Sequence, residues 1–405
     1  MTAFSLSEAQ ALFKINYYKR SENLYNSANV LLGRVKKKYD FTGRSRFVAT
    51  SHSFQGGVGS GSLPTTNVAS YQEATFSAKK VYARCDIDRE AIKAAADDAG
   101  AFIKQTKHSV EKTVESWNRN MSRILFGVGD GSLGVGDGST NVSGAGTTGS
   151  PYVVVLQAST FIEANWEEQD YINYDAETSN LEIAEVVPST YTIKLVGTSV
   201  GLAALTGVGP VPTNKYFYMQ GSKDNDPYGL KQVLSATSGS LYGVSVTRRW
   251  QATQENAGGA GITVDLMNKV MLNVEKKTGK VPNLIVASYT QLRKILNLLE
   301  DAKEYMVEPR SADLKGKLSF RGVEFMSTMG AVPMFADRFM PDSEVWFLND
   351  NHIEIHHRPG FGWFDDDGTV FLRKADSDEY EARYGGYLQV YIEPTFHGRL
   401  HNLST

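Results

Sequence analysis

The stretch Ser116–Gly134 reads SWNRNMSRILFGVGDGSLG and joins two different patterns. Upstream of it, apolar or small residues recur at three- and four-residue spacing over 88–126, which predicts a long amphipathic helix. About 39 helical residues would span roughly 58 Å. We expect Asp86 or Asp88 to cap its start and Gly127 to end it, with a bend or a break at Gly100. The spaced residues are Ile92, Ala95, Ala96, Ala99, Ile103, Thr106, Val110, Val114, Trp117, Met121 and Leu125.

The glycines that follow this helix raise a question of function. Gly129, Gly131 and Gly134 spell G-x-G-x-x-G. A dinucleotide-binding loop of that form follows a strand and opens a helix, whereas this one follows a helix. The near-copies GVGDGSL and GVGDGST are too few, and have the wrong period, for a calcium-binding repeat. We therefore predict that residues 127–149 are a flexible connector.

Upstream of the helix, residues 46–86 predict a long two-stranded hairpin. RSRFVATSHSF and ASYQEATFSAKKVYARCDI resemble strands, and QGGVGSGSLP between them is a glycine-rich tip. An isolated hairpin with so little apolar surface is marginal in water, so we expect it to lie on a partner. Before it, residues 7–40 predict a loosely helical arm that a capping box at Ser7–Gln10 opens.

Downstream of the glycines, residues 150–235 are rich in strand patterns: YVVVL, LEIAEVV, YTIKLVG and KYFYMQG. From residue 262 onward, helix patterns and strand patterns follow each other along the chain. Thr263 predicts the cap of a helix that Gly279 ends, NLIVAS predicts a buried strand, and Ser288 predicts a second helix cap. The strands VEFMST, VPMFA, EVWFLN, HIEIHH and YGGYLQVYIEPTF follow.

Composition excludes several classes of protein. The chain has 405 residues, 41% of them hydrophobic and 21% charged, and a net charge of −3, which is not typical of a nucleic-acid binder. One cysteine, Cys85, leaves no intramolecular disulfide and no cysteine-based zinc site. We expect it to be a small buried hydrophobic residue. Neither a signal peptide nor an apolar run of membrane-spanning length is present, so we expect a reducing cytoplasm and no membrane.

Charge is unevenly distributed along the chain. Residues 1–46 hold nine Lys or Arg and three acids, and residues 365–381 hold seven acids and two bases. Each segment is either a solvated face or one half of a contact in which a basic arm packs on the acidic patch of another copy.

NHIEIHHRPG is the best candidate for chemistry. In a strand, His352, Glu354 and His356 would share one face, and two His with a carboxylate can bind iron or zinc. Side chains at successive positions on one face of a strand nevertheless lie too far apart for all three to bind one ion without ligands from other elements. The alternative is a structural strand with Ile353 and Ile355 inward. No H-E-x-x-H and no P-loop is present, and we expect neither a cofactor nor catalysis.

The order of these parts resembles the major capsid proteins of tailed bacteriophages. The passages SWNRNMSRILFGVGDGSLG, DPYGLKQVLSATSGSLYGVSVTRRW and GKVPNLIVASYTQLRKILNLL are similar to that family. The resemblance implies an α+β, Hong Kong 97-like fold with an inserted β-rich subdomain. Its parts would be an N-terminal arm (1–45), an E-loop hairpin (46–86), the spine helix and connector of the peripheral domain (87–149), the β-rich insertion (150–235), the axial domain (236–350) and C-terminal strands returning to the peripheral domain (351–405).

The resemblance also implies a function and partners. The chain would form hexamers and pentamers of an icosahedral virion head around double-stranded DNA, assembled in the cytoplasm of a bacterial host. DNA would be enclosed without sequence-specific binding, and a portal protein, a separate scaffolding protein and a decoration protein are the implied partners. The residues we expect at contacts between copies are Arg34, Lys36, Lys37, Lys38, Gln55, Gly56, Gly57, Gly59, Gly61, Pro64, Asp365, Asp366 and Asp367.

Two features depart from some members of the family. The hairpin tip Gln55–Pro64 holds no lysine, and Lys79 and Lys80 lie far down the second strand, so we expect no autocatalytic cross-link. Residues 1–45 are too short for a fused scaffolding segment, which is why we expect a separate scaffold. Two other functions stay open: an encapsulin-type shell, and a metal-dependent enzyme that uses His352, Glu354 and His356.

Overall fold

The computed structural model describes residues 30–41, 43, 45–53, 70–88, 99–301, 323–327, 330–359, 361–365, 369–374 and 377–405. The chain divides into two compact units. Among the described residues, the first unit comprises those up to Thr50, Tyr71–Leu125 and Ile353–Tyr391, and the second comprises those of Ser51–Ser70, Phe126–His352 and Ile392–Thr405.

The first unit is built on a six-stranded sheet whose longest strand, β21, pairs with four others. The strands are β1 Lys36–Lys38, β4 Lys79–Asp88, β18 Ile353–His357, β19 Gly362–Trp363, β20 Leu372–Arg373 and β21 Glu379–Ile392. A short helix, α1 Val30–Arg34, precedes β1. Strands β2 Ser45–Ser53 and β3 Ser70–Ser77 form a separate two-stranded sheet.

The structure corrects two expectations about residues 79–88. They were predicted to complete the hairpin, but β4 pairs antiparallel with β21, from Lys79 opposite Leu388 to Asp88 opposite Glu379. Asp86 and Asp88 therefore lie in a strand and do not cap the long helix. The reason is burial: Val81, Cys85 and Ile87 alternate inward from β4 and need a core that a free hairpin does not provide.

The long helix α2 is confirmed over Ala99–Phe126, and the earlier part of its predicted range, residues 89–98, lies outside the described residues. The predicted spacing is its buried face, since Val110, Val114, Trp117 and Met121 are all buried. The indole nitrogen of Trp117 donates to the carbonyl oxygen of Val81 at 3.2 Å, which fixes the helix to β4.

The second unit contains a six-stranded antiparallel sheet in the order β5-β10-β7-β8-β9-β6. Its end strands also meet, because the amide of Asp137 donates to Val155 at 3.1 Å and that of Gln157 donates to Val135 at 3.0 Å. The sheet is thus a closed barrel filled by apolar side chains such as Ile183, Ile193 and Phe217. Its elements are β5 Ser132–Val135, β6 Tyr152–Val155, β7 Tyr171–Tyr174, β8 Leu181–Val187, β9 Thr192–Gly197, β10 Tyr216–Met219 and helix α3 Val200–Leu205.

The prediction of a flexible connector at 127–149 is wrong. Gly131 has φ of +82°, and a Cβ there would lie 2.3 Å from the backbone oxygen of Ser222. Asp130 accepts hydrogen bonds from the amide and the hydroxyl of Ser132, at 2.9 and 2.7 Å. Asp137, in the second near-copy, accepts in the same way from Ser139. The repeated GVGDGS therefore encodes two similar turns on either side of β5.

A second, mixed sheet of this unit has the order β13-β22-β17-β14-β16-β15. Its strands are β13 Thr253–Asn256, β14 Leu284–Ala287, β15 Val323–Ser327, β16 Gly330–Ala336, β17 Val345–Leu348 and β22 Gly398–His401. Helices α5 Val264–Thr278 and α6 Tyr289–Asp301 share its core, and α4 Leu230–Ser235 and the pair β11 Ser240–Leu241 and β12 Val244–Ser245 precede it. The predicted caps are confirmed, because Thr263 and Ser288 accept the amides of Leu266 and Gln291.

None of the helices in the described ranges is both long and apolar enough to span a bilayer.

Candidate functional site

The basic segment predicted to lie between copies is built into the sheet of its own subunit. Lys36–Lys38 form β1, which runs parallel to β18 with Lys36 opposite Glu354 and Lys38 opposite His356. The helical prediction is wrong for these three residues, and residues 1–29 lie outside the described part of the chain. Lysines suit this position because β1 is an edge strand, and charged edge residues prevent unwanted strand pairing. Arg34 ends α1 and is exposed.

A buried histidine joins this segment to β18. His356 is fully buried, and its Nδ1 lies 2.9 Å from an oxygen of Asp40. Its Nε2 lies 3.2 Å from an oxygen of Glu354. Each carboxylate also lies beside a basic side chain: Arg46 is 2.8 Å from Asp40, and Lys38 is 2.7 Å from Glu354. We call these five residues the His356 network.

The network holds its carboxylates in the ionised form. The hydrogen bond from His356 and the contacts of Lys38 lower the pKa of Glu354 to about 2, although partial burial opposes this. Burial alone would raise the pKa of Asp40, but the hydrogen bond and charge of His356, with that of Arg46, lower it. The neighbouring His357 differs, since burial lowers its pKa to about 3 and keeps the ring neutral.

The predicted metal-binding face does not form. The strand begins at Ile353, so His352 lies in a 3₁₀ turn over Asp350–His352 and not on β18. Its Nδ1 lies 2.9 Å from Glu393, and its ring stacks on Phe396 with centroids 3.7 Å apart. Ile353 and Ile355 are buried as the structural alternative requires.

Across the described ranges, no group of three or more His, Cys, Asp or Glu could hold a metal ion. Cys85 is buried as expected, and burial raises the pKa of its thiol.

The two strands β2 and β3 differ in the burial of their described side chains. On β3, Ala74 and Phe76 are buried, and Phe76 stacks on Tyr391 with ring centroids 5.4 Å apart. On β2, none of residues 45–49 is buried, and Phe47 is 59% exposed. The tip Gln55–Pro64 lies outside the described residues. An apolar side chain displayed on a two-stranded sheet marks a surface that a partner can cover.

The acidic residues predicted to meet a basic arm are only partly described. Asp365 is half-buried, and Asp366 and Asp367 lie outside the described residues. Sequence reasoning missed Asp40 and Arg46, which complete the His356 network. The alternation in HIEIHH was a visible signal for Glu354 and His356, but Asp40 lies 316 residues away from His356 in the chain.

Comparisons with known proteins agree with this architecture. Residues 205–366, less than half of the chain, match the family model of the SU10 major capsid protein. Two of the three passages that suggested the resemblance, those beginning at Asp226 and Gly279, lie inside the match. No curated protein matches the chain significantly.

Among solved structures, the capsid asymmetric unit of cyanophage A-1(L) is similar, with a TM-score of 0.52 and 11% identity over 95% of this chain and 93% of that one. A native GTA capsid gives a TM-score of 0.47 and 10% identity over 94% and 91% of the two chains. The SrpI encapsulin of Synechococcus elongatus gives 0.45 and 8% over 93% and 89%. The α+β, phage-capsid fold is therefore confirmed, and so is the resemblance to phage major capsid proteins.

Proposed function

We propose that this chain is the major capsid protein of a tailed phage and that its copies, as hexamers and pentamers, form the closed icosahedral head. One observation carries the proposal: the phage-capsid fold extends over 95% of the chain, and residues 205–366 independently match a major capsid protein family. Its role is structural, and its place is the capsid of the virion.

The finer assignments follow from the same proposal. We keep the predicted domain divisions with three changes that follow from the strand pairing: residues 79–88 belong to the sheet of the first unit and not to the E-loop, β5 belongs to the insertion, and β22 belongs to the axial domain. The 59% exposure of Phe47 on β2 supports an E-loop that lies on another subunit. The thirteen residues predicted at contacts between copies stay predictions, and three of them, Lys36–Lys38, also form strand β1 of their own subunit.

The enclosed cargo is double-stranded DNA, held without reading its sequence. A net charge of −3 favours this, because a wall with a strong positive charge would bind the packaged backbone tightly. Assembly in the host cytoplasm would use a portal protein and a separate scaffolding protein, with a decoration protein as a further partner.

The test is to express the chain together with its neighbouring genes and to image the product by electron microscopy. Closed particles of uniform diameter or capsomer rings are expected, and portal and terminase genes beside this one would separate a phage head from a compartment shell. A compact species that never assembles under any scaffold or salt condition would overturn the proposal. A ladder of covalent oligomers on a gel of boiled particles would contradict the absence of a cross-link.

A further inference from the structure

Two consecutive arginines are displayed on a tight turn of the second unit. The amide of Trp250 donates to the carbonyl oxygen of Thr247 at 2.9 Å, which places Arg248 and Arg249 at the two central positions of a β-turn. Both arginines are exposed, whereas Trp250 is buried and its indole nitrogen donates to the carbonyl oxygen of Leu241 at 3.3 Å. The buried indole fixes the turn, so the two guanidinium groups extend from a rigid base.

A half-buried lysine lies beside this turn. Lys277 belongs to the last turn of α5, and its Nζ donates to the carbonyl oxygen of Gln251, the residue that follows Trp250. Burial and the charge of Arg248 lower the pKa of Lys277 to about 8. Two cations are therefore held close together, which is unfavourable until an anion approaches them. We call Arg248, Arg249 and Lys277 the cationic cluster.

A further lysine lies next to the cluster. The hydroxyl of Thr395 donates to the carbonyl oxygen of Arg249, and the Nζ of Lys280 lies 4.8 Å from the ring centroid of the next residue, Phe396. This Nζ is also 3.2 Å from Nε2 of His352, whose Nδ1 lies 2.9 Å from an oxygen of Glu393. Glu393 thus partly offsets the charge of Lys280, and for that reason we leave this lysine out of the cluster.

The three cations of the cluster have no carboxylate partner. None of them forms an ion pair with an Asp or Glu in the part of the chain that the structure describes. Residues 227–254, which include the turn, contain no Asp or Glu. Other acids of this unit have partners elsewhere, since Glu255 pairs with Lys269 and Asp350 accepts a hydrogen bond from Asn283. The cluster is therefore a surface of positive charge that its own subunit does not neutralise.

We propose that the cationic cluster contacts the phosphates of the enclosed double-stranded DNA. The inference rests on the proposed capsid function and adds the surface of the subunit that faces the cargo. Arginine forms paired hydrogen bonds with phosphate oxygens, and a protonated lysine adds a point charge. Such contacts bind the backbone and carry no sequence information, in keeping with DNA that is enclosed without being read.

The acidic barrel segment 163–193 of a second copy is the alternative partner. It contains eight acids and no Lys, Arg or His. Several of these acids have partners inside their own barrel: Asp175 pairs with Lys215 and Lys223, Glu185 pairs with Lys194, and Glu177 accepts from the amide of Gly201. The phosphates of DNA have no such internal partners, and they repeat along the whole duplex. The charges therefore favour DNA.

The contact should be weak and sensitive to salt. The net charge of −3 gives the chain no long-range attraction for DNA, so only the cluster attracts it, at short range. Three phosphate contacts would give a slope of about −2.7 for the logarithm of the binding constant against the logarithm of the salt concentration.

The test titrates unassembled subunits of the full chain with a fluorescent DNA duplex of mixed sequence over a salt series. The double change Arg248→Gln and Arg249→Gln should weaken binding at least about tenfold at low salt and reduce the salt slope by about 2. The matched control removes two exposed arginines elsewhere, Arg293→Gln and Arg373→Gln, and should bind like wild type. Calorimetry shows whether each variant is folded.

Lys277 supplies a second readout. A bound phosphate favours the charged amine, so the affinity for the duplex should fall as the pH rises through about 8, where free Lys277 loses its proton. Lys277→Arg keeps its charge over that range and should remove the dependence on pH. A lysine that only supports the fold would leave the pH profile of binding unchanged on substitution.

Each outcome bears on the inference. Equal binding by wild type and the double arginine variant, or no binding by wild type at low salt, would overturn it. Polyglutamate that displaces the duplex as well as unlabelled DNA does would also overturn it, since the partner would then be an acidic protein surface. Wild-type subunits that bind the duplex but never form particles with their neighbouring gene products would instead reject the capsid function and leave the phosphate contact standing.

Discussion

The barrel and the β2–β3 pair are both sheets, yet they differ in how much apolar surface they bury. The barrel closes on itself and buries fifteen residues in its own core. Among the described side chains of the β2–β3 pair, Ala74 and Phe76 are buried and Phe47 is exposed. The difference teaches that the barrel contains its own core, whereas the described part of β2 leaves an aromatic side chain at the surface. Four predictions test this contrast, ordered by the expected loss in free energy of unfolding.

Removing the centre of the barrel should have the largest effect. Phe217 is fully buried beside Tyr174, with ring centroids 5.2 Å apart. Phe217→Ala should lower the free energy of unfolding by about 3–5 kcal/mol, since it leaves a cavity. Tyr171→Ala, at a residue 49% exposed on β7, should change it by less than about 0.5 kcal/mol. Calorimetry of the full chain measures both, and equal losses would show that the barrel core is not what stabilises the insertion.

The second largest loss in free energy of unfolding is expected from a substitution in the glycine stretch 127–149. Gly131→Ala should cost about 1–3 kcal/mol, because a side chain disfavours its positive φ and meets the backbone of Ser222. Gly149→Ala is the matched control, since no atom lies within 4 Å of its Cβ position. Urea titration of both variants decides the point. If Gly131→Ala and Gly149→Ala unfold at the same urea concentration, the stretch is the flexible connector that the sequence suggested.

The His356 network predicts a pH dependence in the first unit. The pKa of Glu354 is about 2 in the folded chain against an ordinary 4.5, so its contribution is complete above pH 4.5. That contribution is lost as the pH falls from 4.5 towards 2, because protonation removes the ion pairs. The melting temperatures of wild type and Glu354→Gln should therefore differ at neutral pH and converge in acid.

Glu73→Gln, at an exposed carboxylate of β3, is the control for this experiment. Its difference from wild type should be small at neutral pH. A Glu354→Gln difference that persists unchanged to pH 2 would assign the effect to packing and not to charge.

The hairpin tip should contribute least to the stability of the subunit. Deleting Gly56–Gly61 should change its free energy of unfolding by no more than about 0.5 kcal/mol, while stable shells fail to form. Calorimetry and electron microscopy of the same preparation measure the two effects. A deletion that unfolds the subunit would mean that the tip belongs to its core, and the E-loop assignment would fail.

Local signals in the sequence predicted the elements that local interactions stabilise. Thr263, Gly279 and Ser288 marked the ends of α5 and α6, because capping depends on a few neighbouring residues. The buried spacing of α2 was correct from Val110 onward. The strands β5 and β7 were not predicted, since SLGV and YINY are short and lack a clear alternation of apolar and polar residues.

By itself the sequence determined the fold class, the long helix, the strand-rich insertion and the order of parts that resembles a phage capsid protein. Only the tertiary structure decided which strands pair and which charges meet. In the folded chain β4 pairs with β21, Asp40 contacts His356, and the glycine stretch forms part of a closed barrel. The physical reason is separation along the chain: caps and periodicity act within a few residues, whereas pairing and charge compensation depend on partners that only the folded chain brings together.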